Sequence, residues 1–246
     1  MSSTKHKKLS VIIPTLNEEK LIGKLLQHIT LNSNGHVADV IVVDANSKDN
    51  TESKAIQLGA NVIKSEEASR ALQMNKGAEM ATGDILYFVH ADAFPPVTFA
   101  EDILQAVDEG IDFGCYRFRF KSSNPLLKIN SFFTRFKFLW CRGGDQTLFI
   151  KKDIFEAEGR FNEKYVVMED FELIQRLWRK YKFTVLPKSV IVSARKYKIN
   201  GYFRVNIANL IVFRMFKKGK APQKLKEKYH QLIRHPKDQE PGEQGS

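Results

Sequence analysis

Apolar runs and helically spaced apolar positions alternate along the first 95 residues of the chain. Leu9-Ser10-Val11-Ile12-Ile13-Pro14 predicts a buried strand closed by proline, and Asn17-Glu18-Glu19 opens a helix carrying Leu21, Ile22, Leu25, Leu26 and Ile29. Val40 to Val43 predicts a second strand ending at Asp44. Ser47 to Thr51 supplies capping side chains for a helix through Leu58, which Gly59 stops. A short third strand at Val62-Ile63 and a helix from Ser69 to Ala81 precede the apolar run Ile85 to Val89, which suits a strand buried on both faces. Strands and helices alternating at this spacing predict an α/β fold with a doubly wound, mostly parallel sheet.

Beyond Pro96 the pattern loosens. Phe113 to Phe120 alternates like a half-buried strand, and residues 125–140 are aromatic and basic. A tight turn at Gly143-Gly144-Asp145-Gln146 leads into a strand at Thr147 to Ile150, and a short helix from Ile154 to Glu158 ends at Gly159. A longer helix is predicted over Phe171 to Tyr181, then a last strand, Thr184 to Val192, interrupted by Pro187. Residues 202–216 are apolar with two arginines. A membrane span needs about 20 apolar residues, so this stretch reads as a docked helix or as one lying in the plane of a membrane. The polar tail His235 to Ser246 is expected to be disordered.

With 246 residues, 43% of them hydrophobic, the chain can bury a sizeable core as one domain. Cys115 and Cys141 match no metal spacing and are too few for a disulfide framework, which points to a reducing compartment. Met1 to Lys8 is polar and basic, unlike a signal peptide, so a cytoplasmic location is expected. The net charge of +11 is concentrated. Residues 173–236 hold seventeen Lys and Arg against Glu227 alone, and the remainder holds 22 bases and 27 acids. A basic quarter of this kind implies an anionic partner: a nucleic acid, an acidic membrane face or a phosphorylated substrate.

Candidate chemistry begins at the end of the Ile85–Val89 strand. In an extended chain His90 and Asp92 would share a face and approach one Mg²⁺ or Mn²⁺ ion completed by phosphates, or Asp92 would merely open the turn before Pro95-Pro96. The first turn, Pro14-Thr15-Leu16-Asn17-Glu18-Glu19, contains no glycine. That argues against a dinucleotide fingerprint, a P-loop and the glycine-rich loop of a nucleotidyltransferase, and no H-E-x-x-H pair supports zinc hydrolysis. What remains is a sheet whose strands end in carboxylates: Glu18, Asp44 and Asp92.

Taken in order, Pro14-Thr15-Leu16-Asn17-Glu18, Val42-Val43-Asp44-x-x-Ser47-x-Asp49-x-Thr51, Asn75-x-Gly77-x-x-x-Ala81-x-Gly83-Asp84, Asp92 and Glu169-Asp170-Phe171-Glu172-Leu173 resemble a family 2 glycosyltransferase with the GT-A fold. The resemblance covers about residues 9–190 and is closest to soluble bacterial members with a His-Ala-Asp motif that keep Gly144-Asp145-Gln146. It implies a single GT-A-like domain over 9–200, with a nucleotide-binding half (9–96) and an acceptor half (97–200). A flexible start (1–8), a basic helical extension (201–232) and a tail (233–246) would complete the chain.

The resemblance puts Pro14, Thr15 and Glu18 around the nucleotide, Asp44 on the base ring, and Arg70 and Asn75 beside the nucleotide or diphosphate. Asp92, with His90, would hold Mn²⁺ or Mg²⁺, Asp170 would be the general base with Glu169 beside it, and Gly144, Asp145 and Gln146 would lie on the acceptor side. Arg195, Lys196, Lys198 and Arg204 were the bases that charge and chain order offer for closing over the diphosphate. The implied reaction moves one sugar, with inversion, from a nucleoside-diphosphate sugar to a hydroxyl. UDP comes ahead of GDP, and the acceptor would be lipid-linked or amphiphilic, with contact to an anionic membrane at its inner face. Nucleic acid is not expected as a partner.

Two departures stand out. His90 replaces the first aspartate of the family's D-x-D, and Gln175-Arg176-Leu177-Trp178 scrambles the Q-x-x-R-W of processive members, which predicts single addition. The rivals are a non-catalytic protein binding anionic lipid or nucleic acid on a degenerate fold, and a nucleotidyltransferase.

Overall fold

The computed structural model describes residues 7–142 and 147–234, so the expected turn and acceptor-side residues Gly144, Asp145 and Gln146, and the tail from His235, lie outside the described residues. The first half follows the apolar pattern: β1 (Leu9–Thr15), α1 (Glu19–Leu31), β2 (Val37–Asp44), α2 (Thr51–Gln57), β3 (Asn61–Lys64), α3 (Arg70–Met80) and β4 (Ile85–Phe88). All four strands run parallel, with β1 between β2 and β4. Every residue of β1 is buried because it is covered on both faces. Leu9, Val11 and Ile13 pack with Ile22, Leu25, Leu26 and Ile29 of α1, whereas Ile12 packs with Ala71, Met74 and Ala78 of α3. Gly77 lets α3 come this close. A Cβ there would collide with Ile12 and sit 3.2 Å from Val43 Cγ2.

The second half is less regular, and several of its elements are absent from the pattern reading. β5 (Ala93–Phe94) and α4 (Phe99–Asp108) precede β6 (Phe113–Phe120) and α5 (Pro125–Phe133). A short 3-10 turn (Leu139–Cys141), β7 (Leu148–Lys151), α6 (Lys152–Ala157), α7 (Glu169–Leu177) and β8 (Phe183–Val192) follow. The sheet has the order β3-β2-β1-β4-β7-β6-β8-β5. β7 runs antiparallel to both β4 and β6, and β5 antiparallel to β8, while β6 and β8 are parallel, so the sheet is mostly parallel, as expected, with antiparallel pairs made by β7 and β5. Pro187 does not interrupt β8. The register jumps from Tyr116↔Leu186 to Arg117↔Ser189, leaving the proline, which has no N–H to donate, in a bulge.

Three helices close the fold: α8 (Arg195–Asn200), α9 (Tyr202–Lys217) and α10 (Pro222–Leu232). Val205 and Ala208 of α9 pack with Ile233, and Val212 and Phe216 with Leu225. Residues 202–216 therefore form one continuous helix docked by one face, and no helix among the described residues is long and apolar enough to cross a membrane. The segment between α5 and the 3-10 turn is pinned by Arg142, a fully buried residue. Its guanidinium donates to Cys115 Sγ at 2.9 Å, to the Thr134 carbonyl at 2.7 Å, and to the Phe136 carbonyl.

Candidate active site

Two loops at the carboxyl ends of β1 and β2 form one wall of the site. Asp44 ends β2 and is 1% exposed. Its carboxylate accepts from Thr15 Oγ1 at 3.0 Å, Ser47 Oγ at 2.5 Å and the Ser47 N–H at 2.8 Å. Asn17 and Asn46 turn the two loops through left-handed backbone, which asparagine tolerates better than most residues. The Asn17 N–H donates to Ser47 Oγ, the Lys48 N–H to Asn17 Oδ1 and the Glu18 N–H to Thr51 Oγ1, each at 2.8 Å, so the loops are laced side chain to backbone. Gln73 of α3 clamps the strand ends behind them, donating to the carbonyls of Thr15 at 2.9 Å and Val43 at 2.7 Å. Pro14, buried in β1, pairs with Val43 and contributes backbone shape.

The centre of the site is a triad of charges. Arg195, at the start of α8, donates through Nη2 to both oxygens of Glu18 (2.9 and 3.0 Å) and to Asp92 Oδ2 at 3.3 Å. Burial alone would weaken the charge of Arg195, but the bonded Glu18 carboxylate, followed by Asp92, raises its pKa instead. The expected geometry at His90 needs correction. The Ala93 N–H donates to the His90 carbonyl at 2.9 Å, so residues 90–93 form a turn beyond β4. The shared-face argument, which requires extended backbone, does not apply to His90 and Asp92.

The acid pair stands at the first turn of α7, entered through Met168 in left-handed backbone (φ 69°). Glu169 and Asp170 are both buried, and Glu169 Oε1 lies 3.8 Å from Arg70 Nη1 on the first turn of α3. Desolvation pushes the Glu169 carboxyl up. Arg70, the residue's own backbone N–H and Lys196 pull down without cancelling that effect. Asp170 is close enough to Cys115 for its charge to help raise a thiol already raised by burial. The acids thus sit beside the segment that Arg142 pins.

The raised Glu169 value has a consequence for stability. Between the unfolded carboxyl pKa, about 4.3, and the higher folded value, the folded chain holds the extra proton, so stability declines as pH rises through that window. Glu169→Gln is expected to melt at a higher temperature than the parent at pH 8, the gain shrinking towards pH 4. Scanning calorimetry across that range reads it, and a gain independent of pH would contradict the assignment.

Asn75, expected beside the nucleotide or diphosphate, bonds to the loop before α7. Its amide donates to the Phe161 carbonyl and to Glu163 Oε1, both at 2.9 Å, and accepts from the Phe161 N–H at 3.1 Å, bracing the loop before α7. The sequence does not single out Gln73 or Arg142, nor the pairing of Arg195 with Glu18 and Asp92. The legible signal was weak: a polar residue on the apolar face of α3, and an arginine among aromatics.

A family model described as "Glycosyl transferase family 2" matches residues 10–171, and the chain belongs to that family. Glucosyl-3-phosphoglycerate synthase of Mycolicibacterium smegmatis is 36% identical over 96 residues, which cover 36% of this chain and 32% of that protein; the match therefore spans about a third of the relative. Among solved structures, a mannosyltransferase from Pyrobaculum calidifontis in complex with GDP-Man and Mn²⁺ superposes with a TM-score of 0.68 at 20% identity, covering 92% of this chain and 69% of that one. Glucosyl-3-phosphoglycerate synthase from Mycobacterium tuberculosis, in complex with Mn²⁺, UDP and glucosyl-3-phosphoglycerate, gives 0.59 at 19% identity, covering 83% and 79%. At these identities the likeness is one of fold, and it supports the single α/β domain of GT-A type.

Proposed function

We propose that the chain transfers one sugar from a nucleoside-diphosphate sugar to an acceptor hydroxyl, with inversion at the anomeric carbon. The observation that carries this reading is Arg195 held between Glu18 and Asp92 at the strand ends, with Glu169 and Asp170 on the neighbouring helix. The loops around Asp44 and Thr15 receive the base and ribose, and uracil is the base first tested. Arg195 Nε is buried with no hydrogen-bond partner among the described residues, an orphan donor that a diphosphate oxygen would satisfy. As the sugar–phosphate bond breaks, the Arg195 guanidinium offsets charge developing on the departing diphosphate. Asp170 accepts the acceptor's proton, and a single displacement inverts the centre. Arg70 and Lys196 hold Glu169 beside it.

Relatives of this fold bind Mn²⁺, and the donor set here fits such an ion. No group of three or more His, Cys, Asp or Glu able to hold a metal occurs among the described residues. Mg²⁺ and Mn²⁺ nevertheless bind through one or two carboxylates and complete their shell with phosphate and water. Asp92, a third exposed, would be the protein ligand, and His90, two residues before it, is the second donor the sequence offers. When bound, the ion supplies Lewis-acid stabilisation of the leaving group. The scrambled Gln175–Trp178 segment supports single addition: Trp178 packs on Phe183 with ring centroids 4.8 Å apart, a role in packing.

Thermal shift with UDP, GDP and their sugars, with and without Mn²⁺, tests the reading. A nucleoside diphosphate at one hundred times its Kd should raise Tm by roughly 5–10 °C. No stabilisation by any of them removes the transferase assignment.

A further inference from the structure

The face formed by α5, the 3-10 turn and α9 is apolar, exposed and cationic at once. Phe132, Phe133, Phe136, Phe138 and Trp140 are all exposed, the last two by 56% and 55%. They touch one another in a continuous chain of rings, with Phe133–Trp140 centroids at 5.7 Å and Phe138–Trp140 stacked at 6.2 Å. On α9, Phe203, Ile207 and Leu210 are exposed at helical spacing, on the side opposite the buried Val205, Ala208 and Val212. The two stripes lie side by side. Asn130 of α5 donates to Asn206 Oδ1 of α9 at 3.0 Å and accepts from Tyr202 at 2.9 Å. Asn130 neighbours the exposed Ile129, and Asn206 the exposed Ile207.

The charges on this face have one sign. Residues 125–141 contain Lys128, Arg135 and Lys137 and no Asp or Glu, and α9 contains Arg204, Arg214 and Lys217 and no acid. Arg135 lies over the Phe132 ring at 3.9 Å, a cation at the rim of the aromatic cluster. A contiguous apolar patch of this kind on a folded protein marks an interaction surface. Residues 1–6, 143–146 and 235–246 supply no large apolar side chain except Met1, so they offer nothing to cover it. A second copy laid face to face would oppose cation to cation. An anionic bilayer complements both properties, taking aromatic rings into its interface and drawing Lys and Arg to its phosphates.

We propose that this face docks the protein on an anionic phospholipid bilayer. The 3-10 turn packs against α7, which carries Glu169 and Asp170 on its first turn, so the docked protein holds the acceptor side of the site next to the membrane. If the transferase reading holds, the acceptor is a hydroxyl presented at the bilayer surface, on a lipid or a lipid-linked headgroup. The docking itself does not depend on that reading.

Vesicle flotation without nucleotide tests the surface. The protein should float with phosphatidylcholine vesicles carrying ~30% phosphatidylglycerol at least ~10-fold more than with phosphatidylcholine alone, and the difference should collapse at high salt. The triple variant Phe138→Ser, Trp140→Ser, Phe203→Ser should lose at least ~10-fold in flotation while keeping its Tm and its nucleotide-induced thermal shift. Equal flotation of variant and parent would overturn the proposal. So would failure of the parent to bind anionic vesicles, or a concentration-dependent dimer that the triple variant abolishes. Vesicle binding without any nucleotide shift would retire the transferase reading and leave the docking surface standing.

Discussion

Asp170→Asn is expected to lower kcat by about two to four orders of magnitude while leaving nucleotide-induced stabilisation intact, the range assigned to a positioned general base. The side chain is buried on the first turn of α7, and its isosteric amide keeps the volume but cannot accept a proton. Glu169 is a poor substitute. Its carboxylate faces Arg70, 3.8 Å away, which engages it elsewhere. Glu169→Gln should therefore cost far less in kcat than Asp170→Asn. Released nucleoside diphosphate provides the readout, and full turnover by Asp170→Asn would remove it from the role of base.

Arg195→Ala is expected to reduce kcat/KM by ~10²–10³, the usual penalty for deleting one preorganised charge from a transition state. It also leaves Glu18, 4% exposed, without its partner beside Asp92. Removing the partner of a buried carboxylate leaves its charge uncompensated, so part of the loss would be structural. Glu18→Gln in the Arg195→Ala background separates the two effects. If the double variant regains thermal stability but not rate, the guanidinium acts on the reaction. If rate and stability return together, Arg195 serves only to neutralise Glu18. Arg195→Lys should recover charge but not the planar guanidinium whose Nη2 holds Glu18 and Asp92 while Nε remains to donate. A full-rate Arg195→Ala enzyme would end the proposal for this residue.

The first half of the fold was legible because each element there announces itself locally. β1, β2 and β4 carry apolar runs, β3 is short, and α1 carries apolar residues at helical spacing between strong turn signals. The second half depends on distant partners. α4 buries Phe99, Ala100, Ile103, Ala106 and Val107 on one face, yet no element is assigned there from the sequence, where the pattern loosens past Pro95-Pro96. β5 pairs only through Ala93 and Phe94, too short to have a period. β8 survives its proline because a bulge absorbs the missing donor.

The site divides in the same way. The placing of Asp44, Asp92 and Asp170 at strand and helix ends followed from chain order. The partner of Arg195 did not, since Glu18 lies 177 residues away in sequence. The extended geometry expected at His90 failed because a strand's period ends where its ladder ends. Asn75, polar and inside a family motif, proved to be a brace for the loop at Phe161, a role that only the folded contact reveals.

Arg195 and Lys196 are consecutive residues at one end of the six-residue helix α8. The first grips Glu18 and Asp92, and the second acts on Glu169. The two contacts start one residue apart, so α8 joins the two halves of the cleft. A diphosphate bound at Arg195 would add its charge to the field around the acid pair one residue on. Because coupling between two sites is reciprocal in free energy, an acceptor that settles against Glu169 and Asp170 must alter the grip on the donor by the same factor.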